Sequence, residues 1–472
     1  QERTKQNNTK AEMGNTAATT TLESLHDDED NKNDNDNNNK DDKSYYPEFS
    51  WDHLPLYIHV RKLKRYTPPE LQYLSTFPLI TLEKTTGMRT YQYTDIGTLK
   101  TAAQIKQYNP STKILFYWNS LIHYVPLYSF DDELDGYDEE TGEEKGCYLK
   151  DKDTKEDVKI LSGGFKLYDL SLRRVRDWWI SKATNVVVSP EKKKKTNDDD
   201  DDDSSSSNLD GVFMDAIVKV LDRNYLTQVA NISMDKKKQV VKGWNSMASS
   251  LQQAFHPTPP ADQQQQQPSK LILANLIRAD LPNGGLDSLH YFDGSYIEHF
   301  ESAALHPSKD VVSHVEKSIE LVQQAARNGA IIALTLDLAD GFDEDEYDTI
   351  CNHSDSEEEM FKKLQPRIDY CIGLYLIIAE KYSYVCIHDG YDINEHRYDN
   401  EGGTKGEMKC KSIMWLKRLK EYDYKVGKPC GAAVKEGYVY KREFEHVKVE
   451  VDIESRTACL DWSDDWVMVS KE

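Results

Sequence analysis

The feature that most constrains this chain is a series of eight short apolar runs, each closing on or beside a polar residue. They are Leu54–Val60, Pro78–Glu83, Lys113–Trp118, Gly211–Met214, Leu271–Ala274, Tyr291–Ile297, Ile331–Leu336 and Tyr384–Ile387. Near-continuous apolar runs, rather than alternating ones, mark strands covered on both faces. Amphipathic stretches lie between them, and Asp95–Gln107, Ser171–Lys182, Ser308–Arg327 and Phe361–Lys381 read as helices. Eight strands alternating with helices predict an α/β chain closed into a (β/α)8 TIM barrel. An open doubly wound sheet is the alternative, but no Gly-rich phosphate loop follows any run.

At 472 residues, length alone would allow two or three domains, yet a barrel with insertions also reaches it. Residues 1–44 lack periodicity and pass through Asp27-Asp28-Glu29-Asp30 into Asn, Asp and Lys. Such a segment buries too little apolar surface to order itself, so a disordered acidic tail is expected. The barrel is assigned to 45–427. Two low-complexity tracts, near 190–208 (Lys192–Lys195, Asp198–Asp203, Ser204–Ser207) and 256–268 (with Gln263–Gln267), read as surface insertions. Beyond the last run the period changes. Tyr438–Asp461 alternates apolar and polar residues, as a half-buried antiparallel strand pair does, so 428–472 is expected to form a small β appendage packed on the barrel.

Lys and Arg number 59 against 82 Asp and Glu, a net charge of -23. That balance argues against a nucleic-acid partner, which needs a basic footprint. No run of eighteen apolar residues occurs, so no membrane insertion is expected. A start at Gln1 rather than Met points to processing or trimming, and Asn-x-Ser/Thr sequons at Asn7, Asn231 and Asn352 weakly support a secreted or endomembrane route. Seven cysteines form no CxxC pair, which argues against a zinc ribbon or thioredoxin-type site. Cys430 and Cys459 flank a β-like segment and could bridge, with buried free thiols as the default.

In a barrel, the chemistry sits at the C-terminal ends of the strands. Here those positions hold His59, Glu83, Asn119, Asp215, Asn275, Glu298, Asp337, and His388 with Asp389. Two carboxylates on non-adjacent strands, among hydrogen-bonding groups and aromatics, are the equipment of glycosidic bond cleavage. Asp215 is the candidate nucleophile or charge stabiliser, weighed against a helix N-cap. Glu298 is the candidate acid/base, because Tyr296, Ile297 and Phe300 around it predict a partly apolar pocket that raises its pKa. Glu83, Asp337 and Asp389 are alternates. His59, Glu83, Trp118, Asn119, Asn275, Asp337, His388 and Asp389 are expected to contact substrate. Trp118 belongs with Tyr117, Tyr124 and Tyr128 to an aromatic cluster suited to sugar faces, and packing in the core accounts for it equally well. Asp210 reads as turn chemistry and Asp169 as a cap of the Ser171 helix. His59, His123 and His388 share no metal-ligand spacing, and acidic neighbours Asp392 and Glu395 read as a solvated loop, so neither metal nor cofactor is expected.

Several segments resemble a known family. Leu209–Ala216 (LDGVFMDA) resembles the fourth-strand signature of TIM-barrel glycoside hydrolases, whose second Asp points into the site. Phe292–Phe300 (FDGSYIEHF) is similar to their sixth strand, which ends in a Glu, and Tyr168–Trp179 (YDLSLRRVRDWW) to the run preceding the fourth. With the terminal segment GKPCGAAVKEGYVYKREFEHVKVEVDIESRTACLDW, they resemble the hypothetical glycosyl hydrolase family 15-like group over Tyr45 to Trp462. The resemblance implies a barrel that hydrolyses an oligo- or polysaccharide. Related retaining enzymes place the nucleophile on the fourth strand and the acid/base on the sixth, so it also implies retention. A carbohydrate-binding pseudoenzyme and a lyase-type barrel are the other readings. Oligomeric state is not readable from these patterns.

Overall fold

The computed structural model describes residues 43–134, 146–161, 163–188, 207–257, 269–298, 300–302, 310–387 and 418–463. The acidic tail and the cores of both low-complexity tracts lie outside them. Eight parallel strands form one sheet in chain order: β1 (Tyr57–Val60), β2 (Leu79–Leu82), β3 (Lys113–Asn119), β4 (Gly211–Asp215), β5 (Leu271–Asn275), β6 (Gly294–Ile297), β7 (Ile331–Leu336) and β8 (Ser383–Ile387). Leu56 bridges Val385 in parallel, and the Val385 N–H donates to Pro55 O at 2.9 Å. The sheet thereby closes into the barrel that the eight runs predict, with Tyr57, Ile80, Phe116, Val212, Ile272, Ile332 and Val385 fully or almost fully buried.

Helices α1 (Pro68–Leu74), α2 (Thr94–Tyr108), α3 (Arg173–Val187), α4 (Met234–Phe255), α5 (Val311–Arg327) and α6 (Glu357–Ile378) occupy the crossovers. Between β5 and β6 a 3-10 segment, Pro282–Tyr291, stands instead of a long helix. The apolar run at Tyr291 therefore enters the sheet only at Gly294. Helix α5 starts at Val311 because Asp310 caps it, accepting the Ser313 N–H at 3.0 Å. Its Val315, Ile319, Val322 and Ala326 then share the buried face. A small three-stranded sheet (Ile122–His123, Lys159–Ile160, Phe165–Leu167), absent from the sequence reading, follows β3.

The C-terminal appendage has four strands rather than the expected pair: β9 (Val434–Glu436), β10 (Val439–Glu443), β11 (Val447–Asp452) and β12 (Thr457–Trp462). Gly437, at φ +64°, makes the tight turn that folds β9 back on β10. Val447, Val449 and Val451 alternate inward while Lys448 and Glu450 stay exposed. The inward face lies on α6, where a Cβ at Gly373 would come within 2.6 Å of the Val451 side chain. With the barrel on one side and this sheet on the other, Tyr370 to Ile378 are all buried, so the second half of the helix is apolar all round. Arg442 of β10 closes its C-terminus, donating to Leu376 O at 3.1 Å and Ala379 O at 2.6 Å and pairing with Glu380 at 3.1 Å. Cys430 and Cys459 are both free: Cys430 hydrogen-bonds Glu443 of β10, Cys459 sits on β12, and β11 runs between them. Cys147, Cys371 and Cys386 are buried thiols, whereas Cys351 is disulfide-bonded.

Candidate active site

Strand alternation selects the side chains that reach the barrel mouth. Tyr57, Tyr117, Phe213 and Tyr296 point into the barrel, where Phe213 lies 5.6 Å from Tyr117 and 5.3 Å from Tyr296 between ring centroids. Two residues further along a strand the side chain is on the same face, one layer higher. That step leads from Tyr117 to Asn119, from Phe213 to Asp215 and from Tyr296 to Glu298.

Asp215 is held from the two flanking strands, β3 and β5. The Tyr117 hydroxyl and the Asn119 amide (3.1 Å) donate to Oδ2, and the Asn275 amide (3.1 Å) donates to Oδ1. Burial alone would raise its carboxyl. The charges of Lys219 and Lys84, with hydrogen bonds from Tyr117 and the Ala216 N–H, more than offset burial and hold it below the ordinary aspartate range. Burial, followed by the charges of Asp215 and Glu83, pushes the Tyr117 phenol well above its usual value, so it stays a donor. Asp215 does not cap the next helix. That position belongs to Ala216, which sits at φ +67°, a conformation that costs a non-glycine residue about 1 kcal/mol or more.

Glu298 follows β6 and keeps about a third of its side chain exposed. Its Oε2 accepts from Asn275 Nδ2 at 3.1 Å and from Arg278 Nη2 at 3.1 Å. The expected apolar surround is therefore only half right. Ile277, Ala279, Ile297, Phe300 and Val322 do line a small cavity beside it, but the carboxylate itself meets a guanidinium. Arg278 also donates to Asn275 Oδ1 at 2.5 Å, which fixes the amide's orientation. One Asn275 nitrogen thus serves both carboxylates, so the two bonded oxygens are at most about 6.2 Å apart, twice its 3.1 Å reach.

Other expected contacts are placed differently. His59 is 5% exposed, with ring centroids of Phe213 and Tyr296 at 5.0 and 5.1 Å. It packs among the rings inside the barrel, beside Phe213 and Tyr296, each two residues before an upper carboxylate. Trp118 points the opposite way from Tyr117 and stacks on Trp179 of α3 at 4.6 Å; it is core between barrel and helix. Asn119 donates to Asp215 and accepts the Leu121 and Ile122 N–H groups at 3.0 and 2.6 Å, so both ends of its amide are engaged within the protein. Asn275 likewise positions carboxylates. Glu83 is buried against Lys84 and, at 3.4 Å, Arg61. Burial raises its carboxyl, while the charges of Lys84 and Arg61 oppose the rise. Asp337 stands at the end of β7, half-buried, with its backbone carbonyl accepting from Arg367 at 2.6 Å. His388 and Asp389 lie outside the described residues. Asp169 accepts from Ser171 N at 3.1 Å ahead of α3 and pairs with Lys236 at 2.5 Å.

Sequence reasoning missed Lys84 and Arg278. The first stands next to Glu83 at a strand end, and the second lies three residues past Asn275, the only local signals either gives. Among the described residues no group of three or more His, Cys, Asp or Glu side chains is placed to hold a metal ion. No described helix is long and apolar enough to cross a membrane.

A family model described as hypothetical glycosyl hydrolase family 15 matches residues 202–448, which contain Asp215, Asn275, Arg278 and Glu298. No curated protein sequence matches the chain. Similar solved structures include the glycoside hydrolase domain of PelA from Pseudomonas aeruginosa (10% identity over 63% of this chain and 88% of that one, TM-score 0.35). An Anoxybacillus alpha-amylase matches at 10% identity over 86% and 88% of the two chains, TM-score 0.41. The maltogenic alpha-amylase AmyB of Thermotoga neapolitana matches at 9% over 85% and 86%, TM-score 0.42.

Proposed function

The chain belongs to the hypothetical glycosyl hydrolase family 15, and from that premise we propose that it hydrolyses an oligo- or polysaccharide with retention, through Asp215 and Glu298. The observation that carries this reading is the shared Asn275 amide. Two 3.1 Å contacts to one nitrogen keep the bonded oxygens within about 6.2 Å of each other. Retaining enzymes hold their carboxyl groups about 5–5.5 Å apart, whereas inverting ones need roughly 6.5–9.5 Å to admit a water.

In the first step Asp215 attacks the anomeric carbon while Glu298, in its acid form, protonates the glycosidic oxygen. The carbon–oxygen bond breaks with its electron pair going to that oxygen, and an ester to Asp215 forms. Tyr117, Asn119 and Asn275 orient the attacking carboxylate, and Arg278 stabilises the carboxylate that proton donation leaves on Glu298. In the second step Glu298 takes a proton from water as the water oxygen attacks the same carbon. The ester bond breaks, its pair returns to Asp215, and the configuration is restored. The disulfide at Cys351 supports a secreted or endomembrane setting, where such bonds persist.

A polysaccharide panel, with proton NMR of the first product from any member cleaved, tests the reading. The first-formed anomer is expected to match the substrate; the opposite anomer overturns retention. Binding without turnover at the same mouth would instead make the protein a carbohydrate-binding pseudoenzyme.

A further inference from the structure

Glu83 and Asp215 stand at the ends of β2 and β4, close enough that the charge of Asp215 disfavours ionisation of Glu83. Two such carboxylates persist side by side only when a cation compensates them. Lys84 is placed to do so. Its ammonium pairs with Glu83 and lies 4.8 Å from the ring centroid of Tyr117 and 5.3 Å from that of Tyr124. The hydroxyl of that same Tyr117 ring is bonded to Asp215. We propose that Lys84 is a positioning residue for the nucleophile: it neutralises Glu83 and holds the Tyr117 ring by a cation–π contact, so that Asp215 stays a hydroxyl-bound carboxylate. This inference rests on the reading of Asp215 as nucleophile.

The groups bearing on Asp215 come from every neighbouring element. Glu83 and Lys84 end β2, Tyr117 and Asn119 belong to β3, Lys219 follows β4, Asn275 and Arg278 come from β5 and its loop, and Glu298 follows β6. Lys219 and Arg278 remain when Lys84 is removed, but Arg278 is committed to Glu298. Glu83 would be left with Arg61, 3.4 Å away, and Asp215 would face a less compensated neighbour. Removing the Glu83 charge as well should therefore cancel the effect of losing Lys84. A side chain that mattered only for packing would show no such cancellation.

The test uses the full chain labelled with 13Cγ-aspartate, the Asp215 signal being identified by its loss in Asp215→Asn. Lys84→Met is expected to raise the Asp215 titration midpoint by about one pH unit. Lys84→Arg should stay near wild type, and Glu83→Gln alone should lower the midpoint. Glu83→Gln combined with Lys84→Met should return it toward wild type. An unmoved midpoint in Lys84→Met overturns the inference, as does a double variant shifted as far as the single one. Should Lys84→Met fail to fold, Glu83→Gln alone decides, and an unchanged midpoint there is equally fatal. Turnover is followed separately on 2,4-dinitrophenyl glycosides. Wild-type turnover by Asp215→Asn would overturn the nucleophile reading itself, whereas an unmoved midpoint overturns only the part given to Lys84.

Discussion

At the lower ends of β4 and β6 stand Asp210 and Asp293; at their upper ends stand Asp215 and Glu298. The lower pair is tied into the scaffold. Asp210 accepts the Ile114 N–H at 2.9 Å and pairs with Lys106 at 2.8 Å. Asp293 accepts the Ile272 N–H at 2.8 Å and the Tyr45 hydroxyl at 2.7 Å and pairs with His256 at 3.2 Å. Each precedes a glycine that the neighbouring strand requires: a Cβ at Gly211 would lie 2.1 Å from Leu271 O, and one at Gly294 2.0 Å from Ile331 O. The same Asp-Gly pair thus opens both strands, and five residues after the Asp comes the upper carboxylate. What differs is the company kept. Below, the partners lock neighbouring strands to each other; above, donors from β3 and β5 converge on carboxylates at the barrel mouth, where barrels do their chemistry.

The contrast is broken most sharply by Asp215→Asn. Turnover of 2,4-dinitrophenyl glycosides should fall on the order of a thousandfold or more, with the melting temperature within a few degrees of wild type. Glu298→Gln should cost roughly 10²–10⁴-fold on substrates with poor leaving groups and spare the first step on dinitrophenyl glycosides, a split visible in kcat/KM across leaving groups and in a burst of dinitrophenol release. Asp293→Ala should do the reverse. It strands the Ile272 N–H and the Tyr45 hydroxyl, so urea denaturation should show a loss of about 2–4 kcal/mol while kcat per folded molecule holds.

The smallest effect concerns His256. Burial lowers its pKa, but the hydrogen bond and charge of Asp293 and the Lys270 carbonyl outweigh burial and leave it raised. A raised histidine pKa contributes stability that is fully present below the unfolded value, about 6.5, and is lost as pH rises through the folded value. The gap in melting temperature between wild type and His256→Asn should therefore be widest in mild acid and close with rising pH. A gap that widens toward alkaline pH would contradict the ion pair.

Much of this architecture was legible in the chain. The eight runs are the eight strands, because burial on both faces demands continuous apolar sequence, and Asp215 and Glu298 stand out as acids closing such runs. Continuity, however, hides the parity of the alternation. Nothing in KILFYWN says that Tyr117 faces inward and Trp118 outward until Trp179 supplies the stacking partner. The burial of His59 depends on rings from β4 and β6, which no local pattern encodes. Arg278 and Lys84 matter through partners 20 or more residues away or on another strand, as with Glu298 and Tyr117. The appendage reads as a pair because Tyr438–Asp461 alternates almost continuously through what are three strands, and Val434–Glu436 is only three residues long.

The central claim is a covalent intermediate on the upper carboxylate of β4. Glu298→Gln lacks the base for the second step, so with a 2,4-dinitrophenyl glycoside turned over by the wild type the intermediate should accumulate. Acid quenching followed by peptide mass spectrometry should then find one glycosyl residue attached to Asp215. Release of dinitrophenol with no adduct, or with the adduct on Glu83 or another carboxylate, would contradict the account.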